Sequence, residues 1–210
     1  SDLLLAAGAT AIVCASDSLA LAAVSRLFGD GRPAGNVIAY NIRTGERVPL
    51  ALSLNGAGRS VALSPDASKL YVGGDFTKAN GFDAFHIVRF DLASGSIDFS
   101  WRPTLGGTPL TIVPTASTVY VGGGFTSAGF ITGGSSPRTN TAAFTTAGSL
   151  LPWAPPANGV VRTMLLTPDG SKVVIGGSFT TLNGAAVYGL AAVDPTSGAN
   201  VAWAATGQIK

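Results

Sequence analysis

Apolar positions along this chain come in short runs of four to six rather than in helical spacing. "KLYVGG" (69–74), "TVYVGG" (118–123) and "KVVIGG" (172–177) are aliphatic and aromatic stretches ended by paired glycines, and each is preceded by a polar turn. Runs of this length, bounded by turn residues, predict buried strands. The turns are explicit. In "SPDASK" and "TPDGSK", Pro presets one backbone angle, Asp bonds a local amide, and the fourth residue takes a left-handed conformation that glycine tolerates. "SVALSPDASKL" and "RTMLLTPDGSKV" therefore read as strand, turn, strand. A loop follows the glycines, and then "FHIVRFDLASGS" or "YGLAAVDPTSGA" leads through an Asp and a Gly turn into a further strand carrying a Trp.

These elements recur. Phe76, Phe125 and Phe179 mark three Gly-Gly-x-Phe-Thr units, at intervals of 49 and 54 residues. Turn glycines Gly45, Gly95, Gly148 and Gly198 run in step at intervals of 50, 53 and 50, and Trp101, Trp153 and Trp203 follow the last three. The period of about fifty gives four copies of four strands each, near 8–58, 59–107, 108–158 and 159–210. Four-stranded units at this period are the mark of an all-β β-propeller, whose blades bury their faces only against neighbouring blades. The first copy departs most, with "AVSRLFGDG" in place of the glycine motif and no Trp. In this reading "GATAIVCAS" takes the phase of "RSVALSPDAS", the glycine pairs relieve crowding on the innermost strands, and each motif Phe packs between blades. Four blades are few for a ring, so further blades or a second chain are expected to complete it.

Composition narrows the function classes. Of 210 residues 46% are hydrophobic and only 11% charged, with 28 glycines, which excludes a disordered chain or a charged helical bundle. A net charge of +2, from 13 basic and 11 acidic residues spread without a run, leaves no footprint for nucleic acid or an anionic membrane surface. Cys14 is the sole cysteine, so there is no internal disulfide, and a small buried apolar role is expected for it. The opening "LLLAAGATAIVC" is too short to span a bilayer and lacks a basic flank, so it is read as part of the fold.

The motifs "LYVGGDFT", "VYVGGGFT" and "VVIGGSFT", with "LAAVDPTSGANVAW" after the last, resemble the kelch-like delta-60 family of bacterial β-propeller repeats. The resemblance covers nearly the whole chain from about Thr10. It implies a place outside the cell or on its envelope and a role in display, adhesion or binding, without shared catalytic residues. "FDLASGSIDFSW" and "VDPTSGANVAW" are also similar to the docking repeat of pyrroloquinoline-quinone dehydrogenases, in which an Asp, a Gly turn and a later Trp lock adjacent blades. Those enzymes need inward acids for a quinone and a calcium ion. Here Asp66 and Asp169 are spent in hairpin turns, and Asp91 and Asp194 precede the Gly turns.

No residue is assigned to catalysis, to a cofactor or to a metal. His86 is the only histidine, and Asp83, three residues before it, falls on the opposite face of an extended strand. Tyr71 and Tyr120 share a repeat position that packing explains. Trp101, Trp153 and Trp203 suit inter-blade packing, with sugar stacking as the rival reading. The most distinctive loop is "TSAGFITGGSSPRTNTA", Thr126 to Ala142, rich in Gly, Ser and Thr. The expectation is a non-enzymatic extracellular or cell-surface module that binds a protein or a carbohydrate through loops at one end of the ring. Part of a propeller oxidoreductase, such as a quinoprotein dehydrogenase, is the alternative.

Overall fold

The structure, a computed structural model, describes residues 10–14, 37–41 and 44–202. Among them every regular element is a strand, and no helix is long and apolar enough to cross a membrane. Four principal antiparallel sheets follow one another along the chain. The first holds β1 (Thr10–Cys14), β2 (Val37–Asn41) and β3 (Arg47–Val48). The second runs β4 (Gly58–Leu63), β5 (Lys69–Gly74), a small hairpin of β6 (Lys78–Ala79) and β7 (Phe82–Asp83), then β8 (Ile87–Asp91) and β9 (Ser96–Ile97). The third has β10 (Pro103–Pro114), β11 (Thr118–Phe130), β12 (Ser135–Pro137) and β13 (Thr141–Thr145). The fourth has β14 (Val161–Leu166) and β15 (Val173–Gly177), a hairpin of β16 (Thr181–Leu182) and β17 (Ala185–Ala186), and β18 (Leu190–Val193).

The sheets stack in series. Three apolar clusters lie between consecutive sheets, and Phe76, Phe125 and Phe179 each sit in one of them, as expected from the motif. Burying such a ring stabilises by roughly 1.5–3 kcal/mol. The inner strands β4, β10 and β14 pack side by side, and β1 lies against β4. Among the described residues no extended strand packing joins the fourth sheet back to the first.

Three expectations are corrected here. Among the described residues only the second sheet shows the full order of four strands, β4-β5-β8-β9. In the third and fourth the outermost strand shrinks to single bridges, Phe144 to Leu150 and Val193 to Asn200. Second, β1 pairs with β2, which stands in the place of β8, so "TAIVC" occupies the second-strand place of β5 and not the inner one of β4. Third, the glycine pairs lie on β5, β11 and β15, the second strands, and not on the innermost ones.

The glycines answer to two neighbours. Opposite each pair the inner strand carries a register shift, at Gly58/Ser60, Pro109/Thr111 and Val161/Thr163. That bulge pushes backbone onto the second glycine. A Cβ on Gly74, Gly123 or Gly177 would stand 2.0, 2.2 and 2.2 Å from the carbonyl oxygens of Ala57, Thr108 and Val160. The first glycine instead faces the following sheet. A Cβ on Gly73 would meet Pro109 Cγ at 2.7 Å, and one on Gly122 would meet Val161 Cγ1 at 2.5 Å. The "Phe-Thr" that completes the motif is held from the segment that leads into the inner strand: Asn55 Oδ1 accepts from the amides of Thr77 and Lys78 while its Nδ2 donates to Thr77 Oγ1, and Asn158 repeats this at Thr180 and Thr181.

The Pro-Asp turns form as read, with one strained residue. Ala67 has φ of 56° where Gly170 of the fourth copy has 70°. A left-handed alanine costs about 1–2 kcal/mol of backbone strain, partly offset by the extra unfolded-state freedom of glycine. Ala67→Gly is therefore expected to raise stability by about 0.5–1 kcal/mol, and Gly170→Ala to lower it by about 1 kcal/mol. Thermal unfolding of the two variants checks this, and a destabilised Ala67→Gly protein would contradict it. The residues "AVSRLFGDG" and Trp203 lie outside the described residues, as does the side chain of Cys14.

Candidate functional site

Consecutive antiparallel strands give the molecule two unlike ends. The turns 64–68, 92–95 and 167–171 gather at one end, and the longer connections 75–86, 126–140 and 178–189 at the other. The link 98–102 between the second and third sheets serves both. Asp98 and Ser100 line a crevice at the turn end, whereas Phe99 and Arg102 line a hollow at the loop end.

At the turn end the polar groups are consumed by the fold. Asp66 accepts from Ser64 and from the amide and hydroxyl of Ser68, which lowers its pKa to about 2. Asp169 does the same with Thr167 and Ser171, and Asp194 caps the Gly198 turn through Thr196 and Ser197. A crevice of about 510 Å³ opens between the second and third sheets, and its equivalent of about 420 Å³ between the third and fourth. The charged groups of the first are paired with one another. Lys69 bonds Asp91 and lies 3.2 Å from Asp98, and Arg89 reaches Asp98 at 2.9 Å. Arg89 also donates to the Thr146 carbonyl at 2.6 Å and lies over the Trp101 ring, so this cluster ties sheet to sheet.

The tryptophans belong to the same joints. Trp101 and Trp153 are 1% and 3% exposed. Trp101 Nε1 donates to the Thr145 carbonyl and Trp153 Nε1 to that of Asp194, each in the following sheet. Tyr71 and Tyr120 meet them edge-on, with ring centroids 5.0 and 4.9 Å apart. Sugar stacking is thereby removed for these two indoles, and packing explains both tyrosines. His86 is also structural. Its φ of 71° matches Asn140 (66°) and Gly189 (77°) at the same point of the other copies, and Nδ1 lies 3.0 Å from the Gly74 carbonyl oxygen.

Asp75 pairs with Arg59 and accepts from Thr108 Oγ1 at 2.6 Å; burial pushes its pKa up, but these bonds prevail and hold it low. Asp83 pairs with Lys78 at 2.8 Å. Among the described residues no three of His, Cys, Asp and Glu come together as a metal set, and each described Asp has a partner within the fold.

The loop end is different in kind. The segment Thr126 to Ala142, expected as a loop, is largely strand: β11 continues to Phe130 and β12 folds back on residues 127–129. Its tip brings Ile131 to the hollow, where the Ile131 amide donates to the Arg102 carbonyl at 3.3 Å. The floor of the hollow is apolar, with Ala79, Ala84, Ile87 and Ile97. Its rim carries two half-exposed rings, Phe82 (55%) and Phe99 (47%), in T-shaped contact at 4.9 Å. Arg102 lies over Phe99 with Cζ at 5.6 Å and donates from Nη2 to the Asp83 carbonyl at 3.0 Å. Phe85, 39% exposed, stands on the same connection. Sequence reasoning missed Phe82 and Phe99, because Phe in a strand run reads as core. The available signal was a break in the repeat: Phe82 follows Asn80-Gly81, where Ala185 follows Asn183-Gly184 in the fourth copy.

Known proteins bear on the fold. A family profile described as "Domain of unknown function (DUF5122) beta-propeller" matches residues 68–100, from the turn before β5 to the link after β9. No curated protein matches the chain. Among solved structures, a chain of the Kuenenia stuttgartiensis hydrazine synthase is similar at 16% identity and a TM-score of 0.49, over 79% of this chain and 42% of that one. A chain of a mitotic checkpoint complex is similar at 12% identity and a TM-score of 0.51, over 79% of this chain and 44% of that one. This chain thus spans less than half the length of either. At such identity the second likeness shows fold alone. With the family description and the serial sheets it makes this chain an all-β protein of propeller architecture.

Proposed function

We propose that this β-propeller chain is a non-enzymatic binding module, acting outside the cell or on its envelope, that engages a protein or a glycan through the loop end. The observation that carries the reading is the pair of large apolar rings, Phe82 and Phe99, left half in water beside Arg102. Trp101, Tyr71, Phe76, Phe90, Phe125, Phe144 and Phe179 are buried, and the exposed Leu165 and Tyr188, both of the fourth repeat, do not line the hollow. Exposed rings grouped over an apolar floor and rimmed by charge have the anatomy of a recognition surface. Among the described residues the turn end has no such group, and the cations Lys69 and Arg89 are matched by Asp91 and Asp98 within the fold. Placement outside the cell rests on the repeat's resemblance to secreted and surface propellers.

The experiment is binding of the purified chain to a glycan array and to a displayed peptide library, repeated with Phe82→Ser/Phe99→Ser and with a turn-end variant, Ser68→Arg. Ligands lost with the double variant and kept with Ser68→Arg are the expected result. Ligands that behave in the reverse way, or none from either collection, would refute the reading.

A further inference from the structure

We infer that the exposed rings around the loop-end hollow pack against a protein segment that presents an apolar side chain next to a carboxylate, and not against a sugar. The inference rests on the proposed use of the loop end and names what that end recognises.

The chemistry of the hollow decides between the two ligand classes. Sugars are held by flat aromatic platforms together with side chains that bond hydroxyls. Here the rings of Phe82 and Phe99 stand at 77° to one another, so they present an edge and a face rather than one platform. The floor beneath them offers aliphatic groups. Neither Phe carries a polar atom. The hollow itself holds only about 10 Å³, room for about one water, so a ligand lies on the rings and not inside it. A hydroxylated ring laid on this surface would lose water bonds without replacement, which costs free energy. An aliphatic or aromatic side chain meets no such penalty and gains contact with both rings and Ile131.

Charge at the rim selects what flanks that side chain. Lys78 is already paired with Asp83, which holds the Asp83 carboxyl below its usual range. Among the described residues Arg102 has no carboxylate within ion-pair distance, although its charge also acts on the Asp83 carboxylate from farther off: its contacts are the Asp83 carbonyl oxygen and the face of Phe99. One of its five N–H groups bonds the Asp83 carbonyl oxygen, and a guanidinium with further N–H groups can meet a carboxylate in a two-point contact. The rim therefore carries one net positive charge beside the apolar floor. Aromatic residues and Arg together are also the types that dominate binding at protein interfaces.

The test is selection of random dodecapeptides on phage against the purified chain, with synthetic copies of the enriched peptides measured by fluorescence anisotropy. The inference predicts enriched sequences with a large apolar residue within about three positions of Asp or Glu. It predicts at least tenfold weaker binding to Phe82→Ser/Phe99→Ser and to Arg102→Glu, and affinity that falls as salt is raised. Phe82 and Phe99 are each about half buried, so the double variant is expected to fold with a melting temperature lowered by a few degrees; circular dichroism verifies the fold, and Arg102→Gln gives a second, milder variant. Enriched peptides that lack an acid, peptides indifferent to Arg102→Glu, or glycans that bind and are lost with the double variant overturn this inference while leaving the loop end as the binding surface. No enriched peptide overturns this inference; ligands lost only with Ser68→Arg, or none among peptides and glycans alike, overturn the loop-end reading as well.

Discussion

Gly123→Val and Gly177→Val proteins are expected to lose about 3 kcal/mol or more of stability, while Gly133→Val stays within about 0.5 kcal/mol of the parent. The side chain of residue 123 or 177 would begin 2.2 Å from a carbonyl oxygen of the bulged inner strand, and a backbone atom in a sheet cannot turn aside as a side chain can. Either the bulge is pulled straight, which moves every following residue of β10 or β14 to the wrong face, or the second strand parts from it. Position 133 meets only Phe130 Cβ at 3.7 Å, an ordinary contact, and it lies at the tip of the β11–β12 hairpin. For a domain of this size the loss corresponds to a fall in melting temperature of roughly 6–12 °C. Calorimetry on the three proteins checks it, and equal melting temperatures would contradict the role given to the bulge.

Arg89→Ala is expected to cost about 3 kcal/mol, the lower end of what breaking a buried ion pair removes. The Arg89 and Asp98 side chains are 8% and 14% exposed. The substitution removes the 2.9 Å pair, the bonds to the Thr146 carbonyl and Ser100, and the stack on Trp101. Lys69, 3.2 Å from Asp98, softens the loss. A pH dependence follows. Burial pushes the Asp98 carboxyl up, but Ser100, Arg89 and Lys69 together hold it below the ordinary value. A carboxylate lowered in the folded state contributes stability that is full above its unfolded pKa of about 3.9 and is lost as pH falls through that value toward the folded one. The gap between parent and Arg89→Ala should therefore be widest near neutrality and narrow below about pH 4. Chemical unfolding at pH 7 and at pH 3.5 measures it, and a gap that widens in acid would contradict the assignment.

Much of the scaffold was legible because its signals are local. The Pro-Asp turns, the aliphatic runs and the Asp-to-Gly turns each declare themselves within about ten residues, and their phase gave the serial sheets. The reach of Trp101 and Trp153 was legible through repetition, since residues at one phase serve one packing role. What escaped was set by contacts distant in sequence. Nothing near Gly74 or Gly123 announces a bulge in another strand, so the glycines were assigned to the wrong strand of the sheet. The pairing of β1 with β2 crosses more than twenty residues and is not encoded in "TAIVC" itself. Phe82 and Phe99 were invisible for a different reason. A large apolar residue in a strand context is usually core, and only comparison of Phe82 with Ala185 marks it as a departure. The Thr126–Ala142 segment stands out by its composition, but that composition conceals that it pairs as a hairpin and brings Ile131 to the hollow.

Hydrogen–deuterium exchange of the purified chain with and without the tightest selected peptide tests the central claim most directly, because it reads both ends of the molecule at once. The account predicts slowed exchange in residues 78–86, 98–103 and 126–138, with the turns 64–68, 92–95 and 167–171 unchanged. Protection confined to those turns, with the three loop-end segments exchanging as in the free chain, would contradict it.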